Sequence, residues 1–88
     1  MEQILARVAE LFDLPGELVA GLPHIEMVGQ RQLLIENHQG ILSYSDKMID
    51  VNTTGHIVRV RGSGLELVAM AAEALRIGGT IEAVEFLQ

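Results

Sequence analysis

The stretch "IENHQGILSYSD", residues 35–46, gathers the side-chain types of a hydrolytic centre in His38, Ser43, Ser45 and Asp46. Such a centre needs a nucleophile and a base within hydrogen-bond reach, beside an oxyanion hole and a pocket. Read as a β-hairpin with Asn37-His38-Gln39-Gly40 at its loop, the stretch puts His38 at the tip and Ser45 and Asp46 at the far end. Each intervening residue adds ~3.3 Å, which keeps the groups apart. The expectation is a protein that is not an enzyme. The three histidines, His24, His38 and His56, have no close-spaced ligand pattern and no cysteine to help them, so neither metal nor cofactor is expected. Gly62-Ser63-Gly64 lacks both the Lys-Ser/Thr ending and the following helix of a phosphate loop, and reads as a turn.

Turn chemistry accounts for two of the residues at the tip. Asn37 tolerates left-handed dihedrals, and Gly40 can take a positive φ where the chain rejoins a strand. His38 and Gln39 are then solvated tip residues. Glu36, Asn37, His38 and Gln39, together with Tyr44, are the candidate partner-contact residues.

The elements that position these residues follow from periodicity. Ile4, Leu5, Val8, Leu11 and Phe12 form one stripe of a 3.6-residue period, with Glu2, Gln3, Arg7 and Glu10 off it. Asp13 and Pro15 end that helix, because the residue before proline avoids helical dihedrals. The stripe is expected to cover a sheet, in preference to docking a partner helix or lying on a membrane.

From His24 onward, short apolar-alternating runs are separated by turn signals, as in an all-β domain. An even loop at residues 37–40 sets Ile35 opposite Leu42, Leu33 opposite Tyr44 and Arg31 opposite Asp46. A two-residue turn at Gly62-Ser63 sets Val60 against Leu65, Val58 against Leu67 and Arg59 against Glu66. A three-residue loop at Gly78-Gly79-Thr80 sets Ile77 against Ile81, Leu75 against Ala83 and Arg76 against Glu82. Each register pairs apolar residues on one face and opposite charges on the other.

A fourth hairpin turns around Thr53-Thr54-Gly55, with Ile49, Val51, His56, Val58 and Val60 on one face and Asp50, Arg59 and Arg61 away from it. Residues 68–74 ("VAMAAEA") are rich in helix formers and read as either a helical turn or a strand. Residues 81–86 change face, so that segment is buried on both sides or carries a bulge.

These readings give one domain over 1–88: an N-terminal helix and linker over 1–22, and a β region over 23–88. The fold class is mainly β (α+β), the helix packing on an antiparallel meander or roll of about seven or eight short strands. The alternative is a small β-solenoid.

Composition bounds the partners. Six Lys and Arg stand against twelve Asp and Glu, a net charge of −6, which argues against nucleic acid. No run approaches the ~18 apolar residues of a membrane span, and the N-terminus lacks the basic region of a signal peptide, so the chain is expected to be cytoplasmic. A small domain without cysteine staples gains stability by association, so a homo-oligomer or a docked subunit is expected.

Over residues 22–62 the run Leu22-Pro23, Ile25-Glu26-Met27-Val28-Gly29, Glu36-Asn37-His38-Gln39-Gly40-Ile41 and Ser45-Asp46, followed by "IEAVEF" at 81–86, resembles the YabP/YqfC family of sporulation proteins, and its YqfC branch in particular. The preceding "LFDLPGELVAGLP" resembles the family's usual lead-in. Where the family more often carries "EELLIEG", this chain has "AAEALRIGG", so no surface is carried over at residues 68–79. The resemblance implies a non-enzymatic protein of endospore formation, made in the mother cell. It also implies a companion integral membrane protein, which would make this chain an adaptor at the forespore membrane. The alternative is a self-assembling scaffold element of the forespore surface.

Overall fold

The computed structural model describes residues 21–88. The expected N-terminal helix lies outside the described residues. Six strands follow in chain order: β1 (His24–Val28), β2 (Gln32–Glu36), β3 (His38–Tyr44), β4 (Met48–Thr53), β5 (His56–Met70) and β6 (Ala74–Leu87). They form one sheet in the order β1-β2-β6-β5-β4-β3, every neighbouring pair antiparallel. The mainly β expectation therefore holds with fewer and longer strands, and antiparallel pairing throughout leaves no coil of a solenoid.

The β4–β5 hairpin takes its expected form. Thr53 pairs with His56 across Thr54-Gly55, and Val51–Val58 and Ile49–Val60 follow on one face. Gly55, the second of the two turn residues, takes a φ of 82°, which glycine adopts without strain. Asp50 and Arg59 stand opposite each other on the other face.

The three other expected hairpins do not form. Gly62-Ser63 and Gly78-Gly79-Thr80 lie inside β5 and β6, which run side by side almost from end to end. Their pairing sets Val60 against Val84, Leu67 against Ile77 and Met70 against Leu75. The chain reverses instead at residues 71–73, where the Ala71 N–H donates to Ala74 O at 2.7 Å. The segment 68–74 is thus strand and turn, without helix. Between Arg61–Ala83 and Gly62–Ile81 the ladder skips Glu82. This is the bulge that the face change at 81–86 required, and it lets Ile81 and Val84 both serve the core.

The expected cross-strand ion pairs fall with those hairpins. Arg59 faces Asp50 and Glu85, whereas Glu66 faces Gly78. Arg76 faces Leu34 and Ala69, and Glu82 sits in the bulge. Arg31 belongs to the β1–β2 turn and Asp46 to the β3–β4 turn; both turns reach the bend through their backbone carbonyls, but no ion pair joins the two side chains.

β2 and β3 are not partners either: β2 lies between β1 and β6, and β3 pairs only with β4. Their connection fixes the shape of the whole sheet. Glu36 pairs with Ala74, beside the last residues of β5, while His38 pairs with Thr53, beside its first. A straight strand the length of β5 would hold those ends about 45 Å apart. The two steps from Glu36 to His38 reach at most ~7 Å. β5 and β6 must therefore fold back on themselves, and they do so where glycine interrupts them.

One layer is β3, β4, the first half of β5 and the second half of β6. The other is β1, β2, the first half of β6 and the second half of β5. Ile49, Val51, Val58 and Val60 of the first layer and Leu33, Ile35, Leu75 and Ile77 of the second enclose a single aliphatic core, closed at the bend by Leu65 and Ile81.

Candidate functional site

His38 is buried, only 6% exposed, and is not a loop tip. Asn37 turns the corner between the layers with φ at 65°, the one non-glycine residue among those described with a positive φ. The backbone N–H groups of Asn37 and His38 both donate to Glu73 O, at 2.6 and 3.3 Å. The Asn37 side chain donates to Leu22 O at 2.8 Å. Gly40 N–H donates to His38 Nδ1 at 3.0 Å, which leaves Nε2 to carry the proton that Ala71 O accepts at 3.3 Å. Gln39 then donates to Thr54 Oγ1 at 3.0 Å. Adjacent residues thus grip opposite ends of β5: His38 the turn after it, Gln39 the turn before it. An open cleft of about 200 Å³ remains among Gly21, Asn37, His38, Gln39, Thr54 and Glu73.

The far end of the same motif braces the bend. Ser45 Oγ accepts from the Lys47 and Met48 N–H groups at 3.2 and 3.0 Å, tying off the β3–β4 turn. In the turn so formed, Lys47 O accepts from Gly62 N–H at 3.0 Å and Asp46 O from Leu65 N–H at 2.8 Å. The β1–β2 turn does the same for β6: Arg31 O accepts from Gly79 N–H at 3.1 Å and Gln30 O from Ile81 N–H at 2.7 Å. Gly29, with φ at 55°, makes that turn. Its role was readable from "MVGQRQL", a glycine between two apolar-alternating runs, but the sequence reading did not single it out.

The five candidate contact residues therefore divide. Asn37 and His38 are spent on the corner. Glu36, Gln39 and Tyr44 are exposed. Tyr44 stands at the opposite end of β3 from His38, and its hydroxyl accepts from Leu67 N–H at 3.1 Å. Ser43, Ser45 and Asp46 do not converge on His38, so no catalytic set is assembled there. No group of three His, Cys, Asp or Glu side chains among the described residues is placed to hold a metal.

A second polar constellation crosses the outer face of the β3–β4 layer, in the row Ser43, Asp50, Arg59, Glu85. Arg59 grips Asp50 with two parallel bonds, Nε to Oδ1 at 2.9 Å and an Nη to Oδ2 at 3.0 Å. Arg61 pairs with Glu85 at 2.7 Å. The Arg59 hydrogen bond holds the Asp50 carboxyl below the usual carboxylate range; burial opposes this, and the charge of Arg59, the Ser43 hydrogen bond and Arg61 reinforce it. The same bond raises Arg59. The register that sets Asp50 opposite Arg59 was available in the sequence, since both had been placed on one face of a correctly read hairpin.

What stays unpaired is at the edges. Among the described residues, β1 and β3 each have one neighbour. β3 is broken by register shifts on both sides of Ile41, whereas β1 pairs with β2 without interruption from His24 to Val28. Bulges blunt an edge against further pairing; a regular edge invites it. On β1 and just before it, Met27, Val28 and Leu22 are 37%, 56% and 49% exposed. No helix among the described residues is long and apolar enough to cross a membrane.

Comparison with known proteins agrees with the motif. No solved structure matches the chain. A Bacillus subtilis (strain 168) protein recorded as the uncharacterized protein YqfC is 26% identical over 83 residues, covering 94% of this chain and 89% of the relative. The profile of the YabP family matches residues 21–88, all the residues that build the folded sheet, its corner and its braced bend. By that match the chain belongs to the YabP family.

Proposed function

We propose that the protein is a non-enzymatic adaptor of endospore formation, acting in the mother cell, whose β1 edge takes up an extended segment of a membrane-protein partner. Family membership supports the sporulation setting. One observation carries the adaptor reading: β1 is an unbroken edge strand with Met27 and Val28 exposed, while the polar residues of the motif are committed to the fold. Strand addition needs such an edge, with backbone groups for affinity and alternate side chains for specificity. Glu36, across from His24 in the ladder, lies beside that edge and can set its charge preference.

The test is capture of membrane proteins from sporulating cells by the tagged full chain and by a Met27→Lys/Val28→Lys variant, with deletion scored by heat-resistant spores. The expected result is a specific membrane protein held by the wild type, lost by the variant at an unchanged melting temperature, and a sporulation defect on deletion. Equal capture by both, or normal spore counts after deletion, overturns the reading. Large homo-oligomers in light scattering that the same two lysines dissolve would assign the β1 edge to a second copy, the scaffold alternative.

A further inference from the structure

The two long strands leave more edge than the end strands of the sheet. β2 pairs with residues 74–78 of β6 and β4 with residues 56–61 of β5, so past the bend each long strand has only the other beside it among the described residues. The second half of β5 is capped: Asp46 O accepts from Leu65 N–H, and the Tyr44 hydroxyl accepts from Leu67 N–H. The second half of β6 is held by the β1–β2 turn only at its start, where Ile81 N–H donates to Gln30 O. Residues 83–87 pair with β5 alone, in unbroken register. Phe86, 59% exposed, lies on this edge. A regular edge of this kind invites a further strand.

We propose that this edge binds the same edge of a second copy of the chain, β6 against β6, antiparallel about a twofold axis at Val84. Opposite residues of an antiparallel pair share a face, so inward and outward side chains match only when the axis falls on a residue. An axis at Glu85 sets that acid against itself, which is unfavourable. One at Ala83 leaves only residues 82–84 clear of the bonded Ile81 N–H, and one at Phe86 leaves only residues 85–87 before the strand ends. The axis at Val84 engages residues 82–86 and sets Ala83 opposite the second copy's Glu85. Charge then favours the second copy as occupant. Arg61 stands across from Ala83 and reaches Glu85 of its own chain at 2.7 Å, while Arg59 faces Glu85 from β5. Each incoming Glu85 therefore arrives beside a guanidinium. The β1–β2 ladder, by contrast, carries Glu26 and Glu36 and no Lys or Arg, which makes β1 a poor mate for its own copy. A small domain without cysteine staples gains stability from such a join. The β6 edge is distinct from β1, and its assignment does not depend on the adaptor reading.

Sedimentation of the full chain over a concentration series is expected to show a monomer–dimer equilibrium. Ala83→Glu sets an acid opposite the second copy's Glu85 twice per dimer, and is expected to raise the dissociation constant about tenfold. Ala83→Lys sets a cation there and is expected to hold or lower it. Position 83 lies on the outer face, so both variants should keep the β-sheet circular dichroism and the melting temperature of the monomer. Met27→Lys/Val28→Lys, which alters only the β1 edge, should leave the dimer intact. A monomer at every concentration, the same response to Glu and to Lys at position 83, or loss of the dimer on changing β1 each overturn the assignment, the last in favour of a join through β1.

Discussion

At the residue scale, His38 holds both of its ring nitrogens in hydrogen bonds that join the corner between layers to the β5–β6 turn. Removing the ring strands Gly40 N–H and Ala71 O, and a stranded polar group costs more than the bond it once made. His38→Phe keeps an aromatic ring but neither bond, and is expected to destabilise by about 1–3 kcal/mol in urea unfolding. An unchanged midpoint would mean that the imidazole is not a brace. Asp50 gives a separate, pH-dependent expectation. Its carboxyl titrates lower when folded than when unfolded, so the Arg59 pair contributes fully above the unfolded value, ~3.9, and is lost as pH falls through the folded one. Asp50→Asn should therefore flatten the fall in stability below about pH 4 while leaving its shape above pH 6 unchanged. A variant with the wild-type acid profile would contradict this.

At the element scale, three of the four glycines of the bend, Gly62, Gly64 and Gly78, differ in what a side chain would meet. A Cβ at Gly62 would overlap the carbonyl of Thr80, which is backbone and cannot move aside. At Gly78 it would press on Val68 Cγ2 at 2.7 Å, the end of an exposed side chain that can rotate away. At Gly64 it would meet open space, with only a φ of 61° against it, a cost of ~1–2 kcal/mol. The alanine series should therefore rank Gly62 as most damaging, well beyond ~2 kcal/mol or unable to fold, with Gly78 and Gly64 milder. Thermal melts of the three would check the order, and a mild Gly62→Ala would refute the close approach of the two strands.

The bend also explains what was legible in the sequence. Alternation fixed which residues of Ile49–Val60 face inward, because that hairpin closes through a local two-residue turn. The face change at 81–86 announced the bulge. The same alternation could not tell a glycine that reverses a strand from one that bends two strands together, since both keep apolar residues on one face. Opposite charges such as Arg59 and Glu66 then matched by chance across turns that do not exist. His38 was misplaced for a related reason: its partners Ala71 and Glu73 lie over thirty positions away, beyond any local pattern.

At the scale of the whole molecule, the two layers share their longest strands, so neither is a separate folding unit. β5 and β6 contribute to both, and the core draws equally on each half. Opening one layer would expose Val58 and Val60 or Leu75 and Ile77, and would also pull the Asn37 corner away from Glu73. Such coupling makes unfolding all-or-none, with only the edges free to fray. Native-state hydrogen exchange is therefore expected to give one common opening free energy for the amides of Val58, Val60, Leu75 and Ile77. Ladder amides of β1 should exchange through smaller openings. His38→Phe should lower the common value in both layers by the same amount it lowers global stability, because the corner ties one layer to the other. If the β4–β5 half and the β2–β6 half instead showed two distinct values, and the variant shifted only one, the folded-over ribbon would be two independently stable sheets, and the corner would be a linker, not a clasp.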